Sequence, residues 1–122
     1  MFERDAALYV EDMIEFCGRA RAYSAALTGA TLTADAMRYD AILRNLELIG
    51  EAATHVPEVV RGMAPDVPWR QIVATRNRVA HAYLGISAET VWSILHDDLP
   101  ALDLALRALL MRMTPRPSEA GR

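Results

Sequence analysis

The densest cluster of reactive side chains in this chain is the stretch Arg-Asn-Arg-Val-Ala-His-Ala-Tyr at residues 76–83. It places a guanidinium at Arg76, an imidazole at His81 and a phenol at Tyr83 within about two helical turns. An imidazole takes a proton from a hydroxyl group near neutral pH, and a guanidinium binds a phosphate through a planar fork of donors. The combination predicts phosphodiester chemistry that requires no metal ion.

The same residues also fit a purely structural interpretation. On a helix that begins at Trp69, Arg76 lies near the centre of an apolar stripe, so its charge needs a partner. We expect that partner to be Glu47 or Glu51 on the second helix, or a phosphate. An arginine and a histidine five residues apart also occur by chance in arginine-rich helices, so this spacing alone is a weak signal of catalysis.

Three further polar residues have predicted supporting roles. Asn77 and His81 are four residues apart and share one helix face, so Asn77 is expected to orient His81 or a bound phosphate. Arg78, and Arg44 on the second helix, are predicted to contact RNA or phosphate. Solvated helix faces also carry arginine, and that alternative stays open for both residues.

Composition limits the classes of function. The chain has 122 residues, of which 52% are apolar, and a net charge of −3, which fits one domain with a packed core. A protein that wraps duplex nucleic acid normally has a broad basic excess, so the net charge argues against that class and leaves room for a local phosphate site. The single cysteine, Cys17, excludes an internal disulfide and is predicted to be buried.

Neither a metal, a cofactor nor a membrane is expected. The three histidines, His55, His81 and His96, lie on separate predicted segments, and no His-x3-His or Cys-x2-Cys spacing occurs. The charged start lacks an apolar leader, and no apolar run approaches the roughly 20 residues of a membrane span. The cytoplasm is the expected compartment.

Apolar residues recur at helical spacing nearly throughout the chain. Thr33 is predicted to cap the second helix and Ser87 the last one, while Pro100 is expected either to kink the last helix or to begin a new one. We predict an all-α fold, an antiparallel four-helix bundle with an extra short helix. The predicted helices cover residues 5–27, 34–56, 57–63, 69–84 and 88–113. The helical domain is predicted over residues 1–113, and a flexible tail over 114–122.

Residues outside the reactive stretch link the chain to a known family. Residues 76–83 resemble the Arg-x4-His-x-Tyr signature of the HepT family, within the HEPN superfamily. Residues 45–52, Asn-Leu-Glu-Leu-Ile-Gly-Glu-Ala, resemble its Asn-x-Glu-x-Ile-Gly-Glu-Ala segment, and residues 67–72 resemble its Ile-Pro-Trp-x-x-Ile segment. Residues 91–92 and 98–102 resemble its closing helix, and the similarity extends over roughly residues 5–110.

This resemblance implies a dimeric helical toxin of a type VII-like toxin–antitoxin pair, with RNA as substrate and an MntA-type nucleotidyltransferase as antitoxin. In that family the arginine and the histidine, here Arg76 and His81, are taken as a metal-independent ribonuclease pair. The tyrosine, here Tyr83, receives AMP from the antitoxin. Residues seven apart share a helix face, so AMP on Tyr83 is expected to mask Arg76.

The same superfamily also leaves two alternatives open. Some HEPN relatives do not cut RNA, so the first alternative is a non-catalytic module that binds a nucleotide or RNA. The second alternative is an adaptor that forms a hetero-oligomer with the nucleotidyltransferase. Both alternatives keep the predicted fold and change only what Arg76 and His81 do.

Overall fold

The computed structural model describes residues 2–81 and 86–113 of the chain. A π-helical segment, Ile94–Asp98, joins the last two helices, and no strand occurs within the described ranges. The predicted all-α class with a short extra helix is confirmed. The α-helices are α1 Phe2–Ser24, α2 Ala36–Thr54, α3 Glu58–Arg61, α4 Trp69–Ala80, α5 Ala88–Ser93 and α6 Leu99–Met113.

The core lies where α1 packs against α2 and α6, while α4 packs on α2. Met13, Ile42 and Leu106 are fully buried there, and each such side chain contributes roughly 1.5–3 kcal/mol by leaving water. Cys17 is fully buried in the same core, and its burial raises the pKa of the thiol to about 12. The thiol therefore behaves as a small packed group, as predicted. In the described part of the chain, no helix combines the length and the apolar character that a membrane span requires.

The end of α1 and the start of α2 are among the helix boundaries that differ from the sequence-based expectation. α1 ends at Ser24, short of the predicted end at residue 27. The N-cap of α2 is Asp35 and not Thr33, because the Asp35 carboxylate accepts the backbone N–H of Arg38 at 3.0 Å. A carboxylate in this position satisfies an otherwise unpaired donor and also favours the positive end of the helix dipole.

The chain stays helical across Pro100, since α5, the π-helical segment and α6 follow one another without a break and Ser93, Ile94 and Leu99 all have α-helical backbone angles. Pro100 lies directly after the π-helical segment, as the second residue of α6. The preceding turn is wider than an α-helix, since the Leu99 N–H bonds to the Ile94 carbonyl five residues earlier. Ser87 caps α5 as predicted, by accepting the Thr90 N–H at 3.1 Å.

Arg61 anchors the start of α4 to the end of α2. Its Nε donates to the Val56 carbonyl at 3.0 Å and its Nη2 to the Ala53 carbonyl at 2.7 Å, so it satisfies carbonyls at the C-terminus of α2. The same guanidinium lies 5.6 Å from the centre of the Trp69 ring, and the Trp69 indole donates to the Ala64 carbonyl at 3.1 Å. These contacts fix where α4 begins relative to α2.

Candidate functional site

The site depends on a close approach of α4 to α2 at Gly50. A Cβ atom added to Gly50 would lie 2.2 Å from the Cβ of Arg76 and 3.0 Å from the Ile72 carbonyl oxygen. Only glycine lets two backbones approach this closely. The side chain of Arg76 therefore projects from α4 directly against α2, and it is only partly exposed.

Arg76 is held by two acceptor side chains, Glu51 and Asn77. Its Nη2 donates to Glu51 Oε1 at 2.7 Å, and its Nη1 donates to Asn77 Oδ1 at 2.9 Å. The side chains of Arg76 and Glu51 are 33% and 44% exposed, so solvent reaches the pair from one side. A guanidinium carries five N–H groups, and its buried Nε has no hydrogen-bond acceptor in the described part of the chain. Glu51 and Asn77 therefore orient the guanidinium, but they do not use all of its N–H groups.

The other predicted acidic partner of Arg76 lies elsewhere. Glu47 accepts a hydrogen bond from Arg44 Nη1 at 3.1 Å, one turn before Glu51 on α2. Arg44 is therefore already paired, although its side chain is 63% exposed. Its predicted RNA contact would have to compete with Glu47.

His81 terminates α4. Helical geometry ends at Ala80, and His81 is the C-cap, with φ −114° and ψ 51°. The predicted continuation of this helix to residue 84 fails at His81, whose backbone N–H bonds to the Arg78 carbonyl three residues back at 3.3 Å. This tighter bond is typical of a last helical turn.

The imidazole of His81 is exposed, and its orientation is fixed by Asn77. Its Nδ1 lies 3.0 Å from the Asn77 carbonyl oxygen. A carbonyl oxygen only accepts hydrogen bonds, so Nδ1 carries the proton and Nε2 is the basic nitrogen of the neutral ring. Asn77 thereby joins Arg76 and His81, because its amide oxygen accepts from one and its carbonyl oxygen from the other.

The remaining predicted site residues are placed as follows. Arg78 is exposed on α4, on the helix face away from the Arg76 stripe. Tyr83 lies outside the described residues. The structure therefore brings Arg76, Asn77 and His81 together with Glu51.

The other two histidines are engaged with aromatic rings. His55 stacks on Tyr9 with ring centres 4.9 Å apart, and His96 packs against Trp92 with ring centres 3.8 Å apart. Within residues 2–81 and 86–113, no three His, Cys, Asp or Glu side chains form a group that could hold a metal ion.

Sequence reasoning missed the role of Gly50. A glycine inside a helix is about 1 kcal/mol less favourable than alanine, so its presence in a regular apolar pattern signals a close approach. That signal was present in the sequence, but it does not name the element that approaches. The structure identifies that element as α4, at Arg76.

Comparison with known proteins identifies the family. A family model described as "Ribonuclease HepT-like" matches residues 13–109. The chain belongs to the HepT-like ribonuclease family. The match includes every residue of the site described above, so the predicted family resemblance is confirmed.

Individual relatives of this HepT-like chain are distant in sequence but similar in length. A protein of Thermococcus cleftensis named "Probable ribonuclease HepT" is 29% identical over 94 residues, which are 77% of this chain and 86% of the relative. A protein of Methanocaldococcus jannaschii named "Putative RNase MJ1380" is 29% identical over 102 residues, which are 84% of this chain and 94% of the relative. No solved structure matches the chain significantly.

Proposed function

We propose that this HepT-like chain is an endoribonuclease that cleaves RNA through attack of the ribose 2′-hydroxyl on the neighbouring phosphate. The observation that carries the proposal is the double role of Asn77, which binds the Arg76 guanidinium through its side chain and the His81 imidazole through its backbone. A phosphate-binding cation and a proton acceptor are the two groups that this reaction needs. The family and the names of its relatives favour RNA as the substrate.

His81 acts as the general base in this proposal. Its Nε2 takes the proton of the 2′-hydroxyl while the 2′-oxygen bonds to phosphorus and the bond to the 5′-oxygen breaks. The leaving 5′-oxygen takes up a proton, so the products are a 2′,3′-cyclic phosphate and a 5′-hydroxyl. A second copy of the chain, facing the first, would supply a second imidazole as the acid.

Arg76 stabilises the charge that develops on the phosphorane oxygens. The N–H groups of Nη1 and Nη2 that Glu51 and Asn77 do not use would bind the phosphate, while those two residues restrict rotation of the guanidinium plane. A guanidinium already oriented by two acceptors loses little conformational freedom when the phosphate arrives. Arg78 and Arg44, both exposed, are proposed to contact the RNA backbone beside the site.

The test of this chemistry uses the purified chain and a short RNA, with and without a chelator. We expect cleavage that continues in the presence of EDTA and yields 2′,3′-cyclic phosphate and 5′-hydroxyl ends. The matched control is the same RNA with 2′-deoxyribose at the cleaved position, which lacks the nucleophile and should stay intact. Cleavage of the deoxy control, or loss of cleavage in EDTA, would contradict the proposal. RNA binding with no cleavage would favour the non-catalytic alternative.

We further propose that the chain is a toxin that an MntA-type nucleotidyltransferase inactivates by transferring AMP to Tyr83. The phenol oxygen would attack the α-phosphate of ATP, and pyrophosphate would leave. Tyr83 follows His81 by two residues, so its Cα lies within about 7 Å of that of His81. AMP on this side chain would bring a phosphate and a base into the space where RNA has to bind.

Modification of Tyr83 is testable by mass spectrometry of the chain co-expressed with the nucleotidyltransferase. We expect AMP on the native chain and no AMP on the Tyr83→Phe variant, which keeps the ring and lacks the acceptor oxygen. The matched control is Tyr39→Phe, which removes the hydroxyl of a half-buried tyrosine on α2 and should leave modification unchanged. Equal incorporation into native and Tyr83→Phe chains would exclude Tyr83 as the acceptor.

A further inference from the structure

An apolar groove lies between α4 and α6, with α2 as its floor, and has a volume of about 220 Å³. Ile72, Ile94 and Ala105 are only half-buried in it, so a ligand that covers them would remove further apolar surface from water. Grooves between helices commonly bind an amphipathic segment of another protein. The apolar lining consists mainly of Leu46, Ile49, Ile72, Ile94, Leu102 and Ala105.

The rim of the groove is acidic. Asp66, Asp97 and Asp98 line it and are exposed, and no arginine in the described part of the chain forms an ion pair with them. Asp97 accepts a hydrogen bond from the Ser93 hydroxyl at 3.0 Å. Partial burial, and then the neighbouring Asp97, raise the pKa of Asp98. Its carboxylate is therefore incompletely solvated, and a nearby positive charge would stabilise it.

The groove and the Arg76 cluster lie on adjoining faces of α4. Gln71, Ile72 and Thr75 line the groove, whereas Arg76 lies against α2 at Gly50. At the α-helical angle, Thr75 and Gln71 project about 100° and about 140° away from Arg76, and Ile72 projects about 40° away. Neither Arg76 nor His81 is among the residues that line the groove.

We propose that this groove binds a segment of another protein in which apolar side chains are interspersed with arginine or lysine. The apolar side chains fill the groove, and the basic ones pair with the three carboxylates on its rim. A second copy of this chain is a poorer occupant, because it would bring a net charge of −3 to a rim that is already negative. The inference is independent of RNA cleavage and goes beyond the proposed function.

The test is a titration of the full-length, ¹⁵N-labelled chain with a synthetic amphipathic peptide of leucine, alanine and arginine. We expect amide shifts at groove residues such as Ile72 and Ala105, and none with a peptide in which glutamate replaces arginine. The double substitution Asp97→Asn/Asp98→Asn should weaken binding about tenfold. Ala101→Trp should abolish binding, since Ala101 is exposed and lines the groove.

The matched control is Glu11→Gln/Asp12→Asn, which removes two charges from the exposed face of α1 and should leave affinity unchanged. Equal losses in the two double variants would show attraction to net charge only and would overturn the proposal. Absence of shifts at the groove, or binding of the glutamate peptide, would do the same. The oligomeric state is a further check, measured by light scattering. A dimer that Ala101→Trp converts to a monomer would assign the groove to a second copy of the chain and would also overturn the proposal.

Discussion

Replacing His81 with alanine is expected to lower the rate of RNA cleavage by about 10²–10⁴-fold, the usual contribution of a positioned general base. The exposed imidazole has Nδ1 fixed on the Asn77 carbonyl, so Nε2 is the only nitrogen of the neutral ring that can take the 2′-hydroxyl proton. The measurement is single-turnover cleavage of a labelled RNA.

A loss of activity in His81→Ala is informative only if the fold survives. His81 is exposed and follows the last residue of α4, so its truncation should change the free energy of unfolding by no more than about 0.5 kcal/mol. The matched control is His55→Ala, which removes an exposed imidazole that stacks on Tyr9. We expect that control to cleave RNA at the native rate. Native activity in His81→Ala would exclude this imidazole as the base.

The second large effect is expected from Gly50→Ala, which should destabilise the fold by about 1–3 kcal/mol. The added Cβ would lie 2.2 Å from the Cβ and 2.9 Å from the Cγ of Arg76, and 3.0 Å from the Ile72 carbonyl oxygen. Two of these atoms, the Cβ and the carbonyl oxygen, move only with the backbone of α4. The helices therefore have to separate, and the Arg76 guanidinium shifts away from Glu51.

Gly18→Ala is the control for this substitution. A Cβ on Gly18 would meet no atom within 4 Å, and Gly18 is exposed on α1, so alanine should stabilise the chain by about 0.5–1 kcal/mol through helix propensity. Opposite signs for the two variants in urea unfolding would locate the effect at the α2–α4 contact. A stabilising Gly50→Ala would show that the two helices do not approach as closely as described.

The helical architecture was predictable because it depends on local patterns. Apolar spacing located the main helices, and the capping preference of serine predicted the cap at Ser87. The start of α2 was misplaced by two residues, since Thr33 and Asp35 are both good capping residues. Only the hydrogen bond from the Arg38 N–H decides between them.

The sequence by itself determined which residue types the site contains and that they lie near the end of one helix, because spacing along a helix follows from its 3.6-residue period. It also identified the HepT-like family. Only the tertiary structure decided that Glu51, and not Glu47, binds Arg76. These two glutamates are one turn apart on α2, so the partner depends on where α4 crosses α2. That crossing is set by the close contact at Gly50, which joins residues distant in sequence and has no signature in local periodicity.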